Sequence, residues 1–504
     1  MDQVVFSCVG RLLARGGADL PTEALDGDAS PSNRIEEICT QIVAEMERCR
    51  GRVREQRRDF SPSEDVPAVT GADIFLAGSG ETLRGPDMYP LEYLYRFLDE
   101  PCEDLFSGLY LVPFPPENNP YGDPAVIARE FRLMTDLELD ECLRDPASML
   151  VGTVTTLLEH LTRGVQLLRP VLGHAEYERT DQEALLSLIH HVATSVDPSA
   201  LIVTEFRPEE PGSYLYTTRD VPLLLLDAIL RSSTDRLRSR LESLSAEFAD
   251  GSCFNYCAPL MELEESRITR LLGEPHGVDF IETVIRRGGT PRFDYLNALV
   301  DPNLPSVQRV PISLVVQAVI LAQAGVPCLN LACLLGLDGD TVGLSYEEVI
   351  RGTESEETVM GGLFAGILDL VRARSGEAAF DPQAEQRLPE CDHRLLAILR
   401  TPRAGAGVEG STGPPPVPVI CLHNFSSDFV LFRDRRDRYP WPQDGVFRDL
   451  VSGDLVIHTA EGALFSLELA PWEVLWLRFS SSVDETGDRL ELFSAAYPGQ
   501  LEEN

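Results

Sequence analysis

The sequence predicts an α/β chain: a parallel (β/α)8 TIM barrel followed by an antiparallel β domain. Three observations lead there. From about residue 72, eight short apolar, strand-like runs alternate with amphipathic helical stretches, the pattern of a parallel barrel. Residues 405–418 are rich in Gly and Pro and read as a loop. Beyond them come short β runs with no helical periodicity between them. At 504 residues, 43% apolar and 25% charged, the chain is long enough to bury a large core and divide into two or three domains.

The elements follow in order. Residues 1–70 are expected to form an N-terminal helical segment. Ile35, Ile38, Ile42, Val43 and Met46 carry a helical period, and Asp59-Phe60-Ser61-Pro62 stops it. The barrel is expected over 71–380. Its strands are predicted at 74–77, 108–113, 133–139, 165–168, 201–205, 214–218, 253–257 and 326–331. Helical patterns at 91–98, 147–163, 183–195 and 221–231 stand between them. Residues 381–504 are expected to form a sandwich-like β domain, with runs at 419–423, 430–432, 454–458, 464–469 and 474–479. No internal repeat of fixed period is visible.

Charge narrows the partners. The formal net charge is −38, and all 43 basic residues are Arg, with no Lys. Such acidity repels phosphate, which argues against nucleic acid and anionic membranes. It also suits a salt-rich cytoplasm, where ions screen the self-repulsion. No apolar run reaches the roughly 18–20 residues that span a bilayer. Met1-Asp2-Gln3 opens no signal peptide, so a cytoplasmic location is expected. The eleven Cys are scattered without Cys-x-x-Cys spacing, so buried thiols are expected in place of a metal site. No cofactor is expected.

Several segments resemble a known family. Gly108-Leu-Tyr-Leu-Val-Pro-Phe-Pro-Pro116 is similar to the second-strand motif of glycoside hydrolase family 13, the α-amylase superfamily. The resemblance is to its sucrose phosphorylase and glucosylglycerate phosphorylase branch. Leu201-Ile-Val-Thr-Glu-Phe-Arg207 resembles the strand-5 segment that carries the general acid/base Glu. Gly325-Val-Pro-Cys-Leu-Asn-Leu-Ala-Cys-Leu-Leu-Gly336 resembles the strand-8 segment. Leu422-His-Asn424 and Leu469-Ala-Pro-Trp-Glu-Val-Leu-Trp-Leu477 resemble its terminal β domain. The resemblance spans about residues 72–480. It implies a retaining mechanism by an Asp nucleophile, a Glu acid/base ~5–5.5 Å away and a third, stabilising carboxylate.

Carried over residue by residue, the motifs are degenerate. Glu205 takes the acid/base position. At strand 4, Leu167-Leu-Arg-Pro-Val-Leu-Gly173 aligned through Gly173 puts Leu168 at the family's Arg and Pro170 at its nucleophile. At strand 7, Leu260 stands for a His and Met261 for the stabilising Asp. At strand 3, Asp136 is kept, while Asp140 and Glu141 replace Asn and His. The lid insertion after strand 3 shrinks to residues 142–146, and the loop after strand 2 is short at 117–124. Asp136, His174, Arg207 and Glu262 are expected near the pocket.

A glycosidase lowers its barrier by on the order of 20 kcal/mol, whereas one carboxylic acid gives roughly 10²–10⁴-fold. The expectation is therefore a pseudoenzyme that binds a sugar or a protein partner, such as an active paralogue, with the open pocket favouring the partner. The competing expectation is an active glucosyl phosphorylase or α-glucosidase. It would act on sucrose-like or glucosylglycerate-like α-glucosides or a sugar phosphate. Glu205 would then be paired with a relocated carboxylate among Glu138, Asp140, Glu141, Glu176 and Glu262.

Overall fold

Along the barrel strands, side chains alternate between two apolar surroundings, as the two-residue period of a strand requires. Phe75, Ala77, Tyr110, Met134, Leu167, Val203, Leu215, Phe254 and Cys328 belong to one buried cluster inside the barrel. Their neighbours Leu76, Leu109, Leu133, Leu168, Ile202 and Leu329 belong to the larger cluster under the helices. A strand with both faces buried reads as a continuous apolar run, which is why these segments stand out in the sequence. A computed structural model of the chain describes residues 2–16, 31–56, 69–71, 73–116, 120–171, 178–205, 214–248, 252–258, 260–262, 264–288, 292–301, 303–339, 341–403, 417–435, 446–457, 459–461 and 464–479.

The eight barrel strands are Phe75–Gly78, Gly108–Leu111, Arg132–Glu138, Val165–Val171, Leu201–Thr204, Tyr214–Tyr216, Phe254–Tyr256 and Val326–Asn330. Except for the sixth and seventh, each pairs in parallel with its neighbour in chain order, and the eighth returns to the first through Phe75 opposite Cys328. A single parallel bridge, Tyr216 to Cys253, closes the barrel between the sixth and seventh strands. All eight expected strands are present, and the (β/α)8 fold is as the sequence predicts. At the entrance to the eighth strand, Gly325 has φ +106°, and a Cβ there would lie 2.4 Å from the Cys253 carbonyl oxygen. No side chain fits that approach of two backbones.

Local signals start and stop the helices. Asp145 caps Pro146–Thr162, its carboxylate accepting from the Ser148 N–H at 3.3 Å, with Pro146 at the first position. Between the third strand and this helix stands only the five-residue helix Asp140–Arg144, so no lid domain rises there. The bulk sits instead between the seventh and eighth strands. There Leu260–Glu262 pairs antiparallel with Arg292–Asp294, accompanied by helices Glu265–Leu272, His276–Gly288 and Tyr295–Leu299.

Among the described residues two helices precede the barrel, Gln3–Gly16 and Pro31–Gln56, where the sequence reading anticipated only the second. Val5, Val9 and Leu12 of the first, with Ile38, Ile42 and Met46 of the second, join the outer barrel core. They pack on Pro146–Thr162 and Arg179–Val196. Asp2 anchors the first helix, accepting from the Val4 N–H at 3.0 Å and meeting His191 Nε2 at 2.7 Å.

After helix Val359–Ser375 the chain builds a six-stranded and a three-stranded antiparallel sheet. Strands 395–401, 419–424 and 474–479 form the centre of the larger sheet. Trp476 packs on Phe380 with ring centroids 4.9 Å apart and joins this domain to the barrel core. Two fully buried guanidinium groups fasten the junction. Arg374 donates to the carbonyls of Leu321, Gly325 (3.0 Å) and Phe380 (3.1 Å). Arg400 donates to Ala379 (3.1 Å), Asp381 (2.7 Å) and the Gln386 side chain (3.3 Å).

Candidate functional site at the barrel mouth

The C-terminal ends of the strands open into one cavity of ≈ 2190 Å³, counted out to its mouth. This is the face where barrel enzymes carry their chemistry. Tyr110, Glu138, Arg169, Glu205, Tyr256 and Asn330 line it, each from the end of a different strand.

The floor is a preorganised polar unit. Arg169 clasps Asp136 with two bonds, Nε to Oδ1 at 2.9 Å and Nη2 to Oδ2 at 2.8 Å. The Tyr110 hydroxyl donates to the same Oδ1. The Arg169 guanidinium lies 5.6 Å from the Tyr110 ring centre, and Tyr110 meets the Tyr256 ring edge-on at 5.3 Å. Burial pushes the phenols of Tyr110 and Tyr256 well above their usual range, so both remain hydroxyl donors at neutral pH. Burial works against charge on Arg169, but Tyr110 and Asp136 outweigh it and hold the guanidinium more strongly protonated than usual. Asn330 hydrogen-bonds Tyr256 through its side chain and caps the helix Leu331–Leu335 by accepting from the Ala332 N–H at 2.8 Å.

The pleat decides which strand-4 side chains face the mouth. Leu167 belongs to the interior cluster, so residues two and four further on face the same way. Arg169 and Val171 line the mouth accordingly. Leu168 belongs to the outer cluster, and Pro170 shares its face. The sequence reading placed the family's Arg and nucleophile on Leu168 and Pro170. The inward side chains at this strand end are Arg169 and Val171, and neither carries a nucleophile.

Glu205 ends the fifth strand and faces a guanidinium. Arg219 donates Nε–H to Glu205 Oε1 at 2.7 Å and Nη1–H to Glu264 Oε1 at 3.0 Å. One planar group therefore bridges two carboxylates, whose bonded oxygens lie no more than about 8 Å apart. Arg267 meets Glu264 at 3.8 Å and donates to Asp220 at 3.1 Å, and Arg240 approaches Asp220 at 3.4 Å. This chain of alternating charges ties the strand-7 insertion to the rim of the fifth and sixth strands.

Other expected residues are placed as follows. Met261 lines the cavity and is buried. Leu260 and Glu262 stand beside it in the ribbon, their backbones opposite Asp294 and Arg292. Asp140 and Glu141 open the short helix after the third strand, outside the cavity lining. Glu138 lines the cavity, and its carboxyl is raised by burial and then by the charges of Asp136 and Asp140. His174, Glu176 and Arg207 lie outside the described residues. Sequence reasoning passed over Arg169, Tyr110, Tyr256, Arg219 and Glu264 as a set. Counting by two from Leu167 would have found Arg169. Nothing local marks Arg219 and Glu264 as partners 45 residues apart.

Among the described residues no three His, Cys, Asp or Glu side chains gather as a metal site. No described helix is long and apolar enough to cross a membrane.

No protein-family model matches the chain. It is similar, at 26% identity over 383 residues, to a glucosylglycerate phosphorylase of Spirochaeta thermophila, covering 65% of this chain and 62% of that protein. A glucosylglycerate phosphorylase of Escherichia coli matches at 20% identity over 396 residues, 68% of this chain and 66% of that one. The chain thus spans a little under two thirds of these relatives. Among solved structures, a maltotriose complex of AmyP aligns with a TM-score of 0.53 at 10% identity, covering 82% of this chain and 97% of that one. An α-amylase from H. orenii aligns at 0.51 and 10% identity, covering 81% and 100%. The fold is that of the amylase barrels. Together with the curated relatives, it relates the chain to glycoside hydrolase family 13, on the sucrose phosphorylase and glucosylglycerate phosphorylase side.

Proposed function

We propose that this chain is a phosphorylase-like family 13 barrel that binds a glucosyl ligand at its mouth without turning it over. The observation that carries this is the identity of the inward side chains around Glu205. Val171 ends the fourth strand and Met261 stands after the seventh, so neither supplies a carboxylate. Glu205 is paired with Arg219 instead. A retaining mechanism needs a nucleophile, and catalytic groups that act as a unit lose most of their effect when one is absent. What persists is a binding floor: Tyr110, Arg169, Tyr256 and Asn330 present hydroxyl, guanidinium and amide groups to an open cavity, with Asp136 holding Arg169 and Tyr110 in place. Such a set reads sugar hydroxyls by hydrogen bonds and sugar faces by aromatic contact. The curated relatives are named for action on glucosylglycerate, and AmyP was solved with maltotriose, which supports a glucoside as the ligand class. The polar groups that line the cavity favour this role over the partner role that an open pocket alone suggests.

The test is calorimetric titration of the whole chain with glucosylglycerate, sucrose and maltose, beside assays for released glucose and glucose 1-phosphate with and without phosphate. Binding without release is the expected result. Release that disappears in Glu205→Gln would overturn the proposal.

One observation favours a second reading, an enzyme with a rearranged carboxylate pair. Glu138 lines the same cavity as Glu205, and its carboxyl is raised by burial, while Glu205 faces a cation. Turnover lost in both Glu138→Gln and Glu205→Gln is the result that reading requires.

A further inference from the structure

We infer that the mouth takes a glucoside whose aglycone is apolar. The inference rests on the glucoside-binding reading and adds which glucoside. Beside its polar and charged groups, the cavity is lined by apolar side chains. Val112 follows the second strand, Val171 ends the fourth, Met261 comes from the strand-7 insertion, and Leu337 and Val342 follow the eighth strand. These side chains come from four separate parts of the barrel and converge on one cavity. Two of them are open to solvent: Val112 is 37% exposed and Val342 54%.

Composition makes this wall unusual. The chain has 81 acidic residues among 504, so its surface is dominated by carboxylates. A concave wall of Val, Leu and Met is a departure that exposed single apolar residues on a convex surface are not. Most charged groups of the cavity, moreover, already have partners. Arg169 holds Asp136, Arg219 holds Glu205 and Glu264, and Arg267 holds Asp220. A ligand entering the cavity therefore meets both polar groups and apolar side chains. The molecule that satisfies both is a sugar ring carrying an alkyl or aryl group. A polar aglycone would cover the valines without hydrogen bonds in return and lose the hydration it gave up.

The experiment uses the full chain and calorimetric titration with methyl, butyl and hexyl α-D-glucopyranoside, with hexyl α-D-galactopyranoside as the sugar control. Each buried methylene is expected to tighten binding roughly fourfold, so the series should fall steadily in Kd. Val342→Asp, at an exposed position that tolerates the change, should flatten it, and Val112→Asp should do the same from the other wall. Equal affinity along the series overturns this inference and leaves the glucoside reading standing. Absence of binding by every glucoside overturns both. Equal affinity for the hexyl galactoside and hexyl glucoside also overturns it, because the floor would then not be reading the sugar.

Discussion

Arg219 holds Glu205 at 2.7 Å and Glu264 at 3.0 Å with two N–H groups of one guanidinium. Glu205 comes from the fifth barrel strand's end, and Glu264 from the insertion that follows the seventh strand. The pairs are partly exposed, with Arg219 and Glu205 side chains each 36% accessible. Screening by solvent therefore keeps them weak, about 0–1 kcal/mol each. Arg219→Gln should lower unfolding stability in urea by no more than about 2 kcal/mol, and raised salt should erase the difference. A larger loss, unaffected by salt, would mean that the bridge fixes the insertion in place.

The Arg169–Asp136 clasp is better shielded, at 20% and 13% side-chain exposure. Removing one partner leaves the other charge poorly solvated, so Arg169→Met should cost about 3 kcal/mol. Asp136→Asn should cost less, because Tyr110 can still donate to the amide oxygen. The double variant should cost less than the two losses added, with a coupling of about 0.5–3 kcal/mol. Urea unfolding of the four proteins measures it. Strict additivity would show that the two groups do not depend on each other.

Acid should unfold the protein through buried imidazoles. Burial holds His423 down at about 4, against a weaker opposing effect of its bond to the Leu396 carbonyl. His423 Nδ1–H donates to that carbonyl at 3.1 Å, which leaves Nε2 to accept from Trp476 Nε1–H at 3.5 Å. Burial, then the Arg163 charge, likewise holds His160 down at about 4. The folded values lie below the unfolded one near 6.5, so the unfolded chain binds protons first. The stability each group contributes is present above pH ~6.5 and is lost as pH falls toward ~4, by about 3 kcal/mol per group. Thermal unfolding from pH 8 to 4 should show this, and His423→Gln should flatten part of the slope. An unchanged slope would show that the imidazole is protonated in the folded state.

Arg374 is fully buried, and its donors go to backbone carbonyls of Leu321, Gly325 and Phe380. Arg374→Ala removes those bonds and opens a cavity at the junction of barrel and β domain, a loss of about 3–5 kcal/mol. Arg374→Met keeps most of the volume and removes the buried charge, so it should lose less. Calorimetric unfolding should show the alanine variant separating into two transitions. A single transition with unchanged midpoint would show that the junction does not depend on this side chain.

Much of the architecture was legible because burial on both faces leaves a signature in the sequence itself. Leu201-Ile-Val-Thr and Val326-Pro-Cys-Leu-Asn are continuous apolar runs, and parallel strands between a core and a helix layer produce such runs. That same continuity hid the site. In Leu167-Leu-Arg-Pro-Val, the first two residues are both Leu, so the sequence does not tell which of them looks inward and starts the count. A motif alignment through Gly173 chose Leu168 and Pro170. The sheet, whose register is set by neighbours such as Asp136 opposite Arg169, chose Arg169 and Val171.

The sequence by itself determined the barrel, the order of its eight strands, the β domain and the shortened lid, because each is written in local periodicity or in a contiguous motif. Only the tertiary structure decided which side chains meet. It turned Arg169 toward Asp136, set Arg219 between Glu205 and Glu264, and brought Val112, Met261 and Val342 to one cavity. Those relationships join residues far apart in the chain, and closure of the sheet into a barrel is what places them side by side.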